Sequence, residues 1–258
     1  MTESLLIAKQ GRVTTLTINR PEVRNALDDE VAAALRQAVE ACADDGTRCI
    51  VLTGAGGTFC SGADIKKGME AGVTPESVRR TLTQRYHPAL QAIRQSPWPV
   101  IAAVDGYAAG IGFDFALTCD LRLASDRARF AELFARVGLI PDGGGTYLLP
   151  RVIGLGRALE LMFTGRDVAA DEALRIGLAN AVFPAERFAD EVAAFADGLA
   201  RQSPHALRRG KAAMLAALDS AYEAALAREA DLQTEIFALP DGLEGFAAFV
   251  QKRPPVWE

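Results

Sequence analysis

An α/β fold closed by a helical C-terminal region is predicted by three features of this sequence. Short apolar strands alternate with helices as far as Phe183, and two of them run directly into glycine-containing bends. From Ala185 onward the pattern is helical almost to the end. A chain of 258 residues can bury a substantial core, as one large domain or a domain with an appendage. We therefore divide it into a core of residues 1–184 and a helical region of residues 185–258.

The chain opens as a hairpin, "LLIAK" and the β-branched "VTTLTI" on either side of a turn at Gly11. Leu27, Val31, Leu35 and Val39 then recur every fourth residue, the spacing of an amphipathic helix, which Asp-Asp-Gly stops. "CIVLTG" is a short buried strand ending on glycine. A second helix is predicted from Thr74, an N-cap followed by proline at the first helical position, to about Gln95. "PVIAAVDG" and "LRLAS" are further buried strands, and "NAVFP" ends the alternation. Helices rich in alanine and leucine on one face commonly pack against a neighbouring subunit, so an oligomer is expected.

Composition narrows the function. Half of the residues are hydrophobic and 24% are charged, as in a soluble globular protein. A net charge of −5 argues against a nucleic-acid surface, which shows itself as clustered basic charge. Cys42, Cys49, Cys60 and Cys119 have no metal-binding spacing, and the N-terminus has no export or import pattern, so free thiols and a cytoplasmic location are expected. No run approaches the roughly 18 apolar residues of a membrane span.

Three bends stand out: "TGAGGTFCSGADIKKG", "DGYAAGIGFDFALTCD" and "GLIPDGGGTYLLP". Glycine there lets backbone N–H groups turn toward a ligand, and converging N–H groups hold a developing oxyanion. Small residues at such places also serve tight packing between layers. Nucleotide motifs are absent: there is no GxxxxGK[ST], and Gly110 and Gly112 lack the third glycine of a dinucleotide fingerprint. There is no GxSxG either. Cys60 could act as a nucleophile only with His87 or His205, and both lie in helical segments away from the bends, as structural or surface residues. Trp98, between prolines, reads as packing.

Together "NRPEVRNAL", "FCSGADIK", "IAAVDGYAAGIGFDFALTCDLRLAS", "GLIPDGGGTYLLPRVIG" and "EGFAAFVQKRPP" resemble the enoyl-CoA hydratase/isomerase (crotonase) superfamily, in the right order over almost the whole chain. The resemblance implies a crotonase-like spiral of ββα turns with a C-terminal helical trimerisation region, assembled as a homotrimer or homohexamer. It implies an acyl-CoA thioester as substrate, with coenzyme A as part of the substrate and no metal or redox cofactor. Deprotonation beside a thioester carbonyl gives an enolate, whose oxygen needs preorganised donors. By resemblance these are the N–H groups of Ala63 and Ile111. The family often has glycine where Ile111 stands; isoleucine keeps the N–H and restricts the backbone. Arg24 and the run Ala63, Asp64, Ile65 and Lys66 match segments that line the CoA pocket, and Lys252 matches a C-terminal position that reaches a CoA. Lys66 and Lys252, each taken alone, also read as solvated lysines.

The hydratases of the family position water with two glutamates. The resemblance places Asp114 at the first position and Phe134 at the second, where phenylalanine cannot carry a proton and excludes water. Asp142 matches the acid of several isomerase branches, including the ring-epoxide isomerases, and acids stand at both the Asp114 and Asp142 positions in the dienoyl-CoA isomerases. A carboxylate in dry surroundings gains a pKa suited to base work. Phe130, Leu133, Phe134, Val137 and Leu139 are expected to supply that surrounding. Isomerisation of a double bond or ring by Asp142 is thus expected. The rival readings are hydration through Asp114 and Asp142, dehalogenation with Asp142 as nucleophile, and a non-catalytic acyl-CoA-binding scaffold. If "ARFAELFARV" is extended, Glu132 and Phe134 point to one side, and a slip of register brings Glu132 into the pocket.

Overall fold

The computed structural model describes residues 3–257. Strands β1 (Leu5–Gln10) and β2 (Val13–Ile18) form the antiparallel hairpin about Gly11, with Leu5 opposite Ile18. β3 (Cys49–Gly54), β4 (Val100–Val104), β6 (Leu121–Ser125) and β9 (Ala181–Phe183) add to it in parallel, in the order β1-β2-β3-β4-β6-β9. A second sheet joins β5 (Tyr107–Ala109), β7 (Arg129–Ala131) and β8 (Asp167–Ala169).

Successive strand residues face opposite sides of a sheet, so a strand buried on both faces reads as a continuous apolar run. In β3, Ile50 and Leu52 join the main core with Leu16, Val100 and Ala102. Cys49 and Val51 face the other way, against Phe188, Val192, Ala196 and Ala200 of helix α9 (Phe188–Ala200). The helical region that begins at Ala185 therefore shares a core with the sheet.

Helix α1 (Asp29–Ala41) buries Val31, Leu35 and Val39, as their spacing predicts. The Asp28 carboxylate caps it, accepting from the N–H groups of Glu30 and Val31, so Leu27 lies just before the helix. A short helix, α2 (Ile65–Ala71), follows the first glycine bend. The helix expected over 74–95 is built in three parts: α3 (Pro75–Thr81), a π-helical turn over 82–86, and α4 (His87–Gln95). Pro88 stands at the last join. It has no N–H to return to Gln84, and a wider turn relieves the interrupted ladder.

The rest comprises α5 (Ile111–Thr118), α6 (Gly145–Ile153), α7 (Leu155–Thr164), α8 (Ala170–Arg175), α10 (Pro204–Ala217), α11 (Tyr222–Phe237) and α12 (Pro240–Gln251). Lys211 anchors α10 to the end of the sheet through Asp120 (2.6 Å) and the Trp98 carbonyl (3.0 Å). Trp98 is buried and its indole N–H reaches the Cys42 carbonyl, the packing role expected of it. The four cysteines are free and buried. No helix among the described residues is long and apolar enough to cross a membrane.

Candidate active site

Two glycine bends meet where the main and second sheets adjoin. The Cys60 N–H donates to the Tyr107 carbonyl and the Ala109 N–H to the Cys60 carbonyl, both at 2.9 Å. Gly62 passes so close to Ala109 that a Cβ would stand 3.1 Å from its carbonyl oxygen, and Gly62 has φ +108°. Leu27 pins the first bend from the other side, donating to the Gly62 carbonyl and accepting from the Asp64 N–H. Ala63 and Ile111, the first residue of α5, thus each present an N–H that donates to no acceptor among the described residues. The Cys60 thiol is buried, and burial pushes it up to about 12, which removes it as a nucleophile at neutral pH.

Asp114, one turn into α5, is fully buried. Its Oδ2 accepts from the Gly143 N–H at 2.8 Å, so the third bend is tied to the helix of the second. Two missing side chains permit this approach. A Cβ on Gly143 would crowd the Asp114 side chain, and one on Gly145 would stand closer than 3.0 Å to both Asp114 Oδ1 and Glu132 Oε1.

Glu132 is 1% exposed and converges with Asp114 over Gly145. It enters without a slip of register. Strand β7 ends at Ala131, Glu132 precedes a 3₁₀ turn over 133–137, and Phe134 lies on that turn, 7% exposed. The surroundings differ in part from those expected: Phe130 and Phe134 are buried, Leu133 is half-buried, and Val137 and Leu139 face outward.

Asp142 is half-buried, with Oδ1 buried and without a hydrogen-bond partner among the described residues. His87 is not remote from the bends, as its helical position suggested. Its Nε2 lies 2.8 Å from the Asp142 carbonyl oxygen. A cavity of about 380 Å³ opens there, lined by His87, Leu90, Arg94, Thr118, Asp142 and Tyr147. A second, of about 560 Å³, lies against Val73, Val78, Leu82 and the same His87.

Burial dominates the electrostatics. It pushes Asp114 up to about 7 against the Gly143 hydrogen bond, with Asp142 adding to the rise. Glu132 is pushed up to about 9 by burial and by its neighbour Asp114. Asp142 is also raised by burial, while His87 opposes the rise. Three carboxyls around one bend, all shifted upward by burial, hold protons more readily than ordinary carboxylates and can take part in proton transfer.

The expected CoA-pocket residues gather at the first bend, except one. Arg24 is exposed in a left-handed conformation (φ 53°), set by Asn25, whose side-chain amide donates to the Ala55 and Thr58 carbonyls. Ile65 and Lys66 are exposed on α2. The Asp64 carboxylate is engaged structurally, pairing with Arg20 at 2.9 Å and accepting from the Lys67 N–H. Lys67 is itself held by Asp28 at 2.7 Å. Lys252 lies apart, at the end of α12, where its N–H bonds back to the Phe249 carbonyl, and it shares no hydrogen bond with these segments among the described residues.

Comparison with known proteins decides the family. The model of the enoyl-CoA hydratase/isomerase family matches residues 8–258. The chain belongs to that family. This enoyl-CoA hydratase/isomerase family enzyme is 41% identical to a probable enoyl-CoA hydratase of Rhodobacter capsulatus over 94% of this chain and 93% of that one. It is 37% identical to the 1,2-epoxyphenylacetyl-CoA isomerase of Escherichia coli K12, over 99% and 98%. The crystal structure of an enoyl-CoA hydratase from Bacillus anthracis superposes with a TM-score of 0.94 at 32% identity, covering 99% of each chain. The expected crotonase fold with its C-terminal helices is thereby shown, while the relatives' names divide between hydratase and isomerase.

Proposed function

We propose that this enzyme isomerises an enoyl-CoA thioester, with Asp142 as the base that moves the proton. The Asp142 carboxylate takes a proton from the carbon next to the thioester carbonyl. The electron pair of that bond passes into the carbonyl, and the N–H groups of Ala63 and Ile111 hold the resulting enolate oxygen. The same proton returns to the γ-carbon as the double bond moves, so no atom is gained or lost. Arg24, Ala63, Asp64, Ile65 and Lys66 are proposed to line the CoA path at the first bend, and Lys252, apart from them at the end of α12, is proposed to reach the CoA on the family resemblance alone. Asp64 acts there through the backbone it caps, because its carboxylate is already paired. The thioester brings its own coenzyme A, and the proposal needs no metal or other cofactor.

The observation that carries this reading is the Asp142 carboxyl itself. It stands in the cavity wall with a buried Oδ1 that has no hydrogen-bond partner among the described residues, and with a pKa raised by burial. Phe134 supports it, since by resemblance a buried phenyl ring occupies the position of the second hydratase glutamate. Hydration is the second reading, favoured by one observation: Glu132 joins Asp114 and restores a pair of carboxyls. The two readings differ by a molecule of water in the product. Turnover of 3-enoyl, 2-enoyl, dienoyl and ring-epoxide CoA thioesters, with products identified by mass, separates them. An unchanged product mass supports isomerisation, and a gain of water supports hydration.

A homotrimer or homohexamer is part of the proposal. Met214, Phe246, Phe249 and Val250 leave apolar side chains exposed on the C-terminal helices of the single chain. No nucleic-acid or membrane partner is proposed.

A further inference from the structure

Glu132 presents a problem that the proposed reaction does not solve. Both of its carboxyl oxygens are buried, and neither has a hydrogen-bond donor among the described residues. Asp114 Oδ1 is in the same position, since the Gly143 N–H serves only Oδ2. The titratable groups nearest to them come from three elements. Asp114 comes from α5, Asp142 from the third bend, and His87 from α4 faces Asp142 rather than Glu132. Among the described residues no lysine or arginine forms an ion pair with Asp114 or Glu132, and none is among the main influences on either carboxyl.

Two ionised carboxylates cannot share a buried space without a cation between them. The cost falls away if one keeps its proton, because a carboxylic acid supplies the donor that its neighbour lacks. The unpartnered atoms lie on the two facing groups, beside the backbone of Gly145. Glu132 is the better holder of that proton. Among the described residues it has no N–H to stabilise its anion, whereas Asp114 accepts one from Gly143.

We infer that Glu132 is a positioning residue that stays protonated at neutral pH and donates its hydrogen bond to Asp114 Oδ1, thereby holding Asp114 ionised and in place. Between the two ionisations the pair then carries one negative charge. Loss of the Glu132 proton adds a second charge beside a reaction that itself builds an anionic enolate. Burial raises both carboxyls, and the Asp114 carboxyl beside it raises Glu132 further.

The kinetic consequence rests on the acyl-CoA isomerase reading, but the protonation state does not, and one experiment reads both. Infrared spectra of the full chain, carrying carboxyl-labelled ¹³C-glutamate, should show a protonated glutamic acid carbonyl at about pH 8, far above the ordinary carboxylate range. The band should disappear in Glu132→Gln, and in the wild type it should fade as the pH rises through about 9. If Glu132→Gln fails to fold, the wild-type titration alone decides. The pH profile of kcat/KM supplies the second readout. The wild type should lose activity on the alkaline side as Glu132 ionises. Glu132→Gln, which donates but cannot ionise, should lack that limb, and Glu132→Ala should move the acid limb to higher pH. Absence of a labelled acid band at pH 8, or its persistence in Glu132→Gln, overturns the inference. An intact band in a protein that isomerises no thioester overturns the isomerase reading and leaves the protonated Glu132 standing.

Discussion

The N–H of Gly143 donates to Oδ2 of Asp114 at 2.8 Å, and this bond joins the bend that carries Asp142 to the helix that begins at Ile111. The proposed base and one proposed oxyanion donor are thus held on a common frame. The frame depends on close approach, because Gly143 and Gly145 both lie against the Asp114 carboxyl.

Gly145→Ala should therefore disturb the site more than an added methyl suggests. The new Cβ would stand closer than 3.0 Å to both Asp114 Oδ1 and Glu132 Oε1, so both carboxyls or the bend itself must shift. We expect a loss of about 1–3 kcal/mol in urea unfolding, typical of overpacking. A fall of roughly 10²-fold in kcat/KM is expected from misplacing a reacting group by about 1 Å. Wild-type kinetics in Gly145→Ala would mean that the carboxyls need no fixed position.

The carboxyl pair also makes stability depend on pH in a definite sense. Asp114 and Glu132 have folded-state pKa values raised to about 7 and about 9, so the folded state binds more protons than the unfolded one. Their contribution is fully present below the ordinary carboxyl range and is lost as pH rises through those values. Glu132→Gln removes one ionisation. Its stability relative to wild type should grow with pH, level off above about 9, and vanish at about pH 4. Urea unfolding across that range checks the slope, and a constant difference at every pH would contradict the linkage.

Much of this arrangement was legible in the sequence. β-Branched residues located the hairpin, short apolar runs the buried strands and the four-residue spacing α1, because β2 and α1 each bury one face and β3 is buried on both. Asp142 lies on a glycine bend, and the family resemblance gave Asp114 and Asp142 their expected places in the site. Glu132 was harder to place. Its direction follows from where β7 stops, and the space it fills exists only because Gly145 of another element lacks a side chain. His87 meets Asp142 across 55 residues of sequence, a contact made by packing of α4 on the bend that no local period announces. Helix α2 went unread because seven residues are too few to display a face.

Phe134 is expected to guard against hydration. Phe134→Glu should admit water, giving measurable hydration of a 2-enoyl-CoA and weaker isomerisation. The assay is product mass on both thioesters. Hydration of crotonyl-CoA by the wild type at the rate of a median enzyme, about 10 per second, would contradict the role given to the phenyl ring.

The exposed apolar residues of α10 and α12, Met214, Phe249 and Val250 among them, should be covered by neighbouring subunits. Light scattering at micromolar concentration should give the mass of three or six chains. A monodisperse monomer would contradict the proposed assembly.

The central claim is that Asp142 removes the proton, and exchange of the α-proton with deuterated water reads that step alone. Asparagine keeps the size of the side chain but cannot accept a proton from carbon. In Asp142→Asn, exchange into a CoA thioester bound as tightly as to the wild type should fall by about two to four powers of ten, the usual contribution of a positioned general base. Exchange at the wild-type rate, in a folded variant that still binds the thioester, would contradict the account and move the base to Asp114 or Glu132.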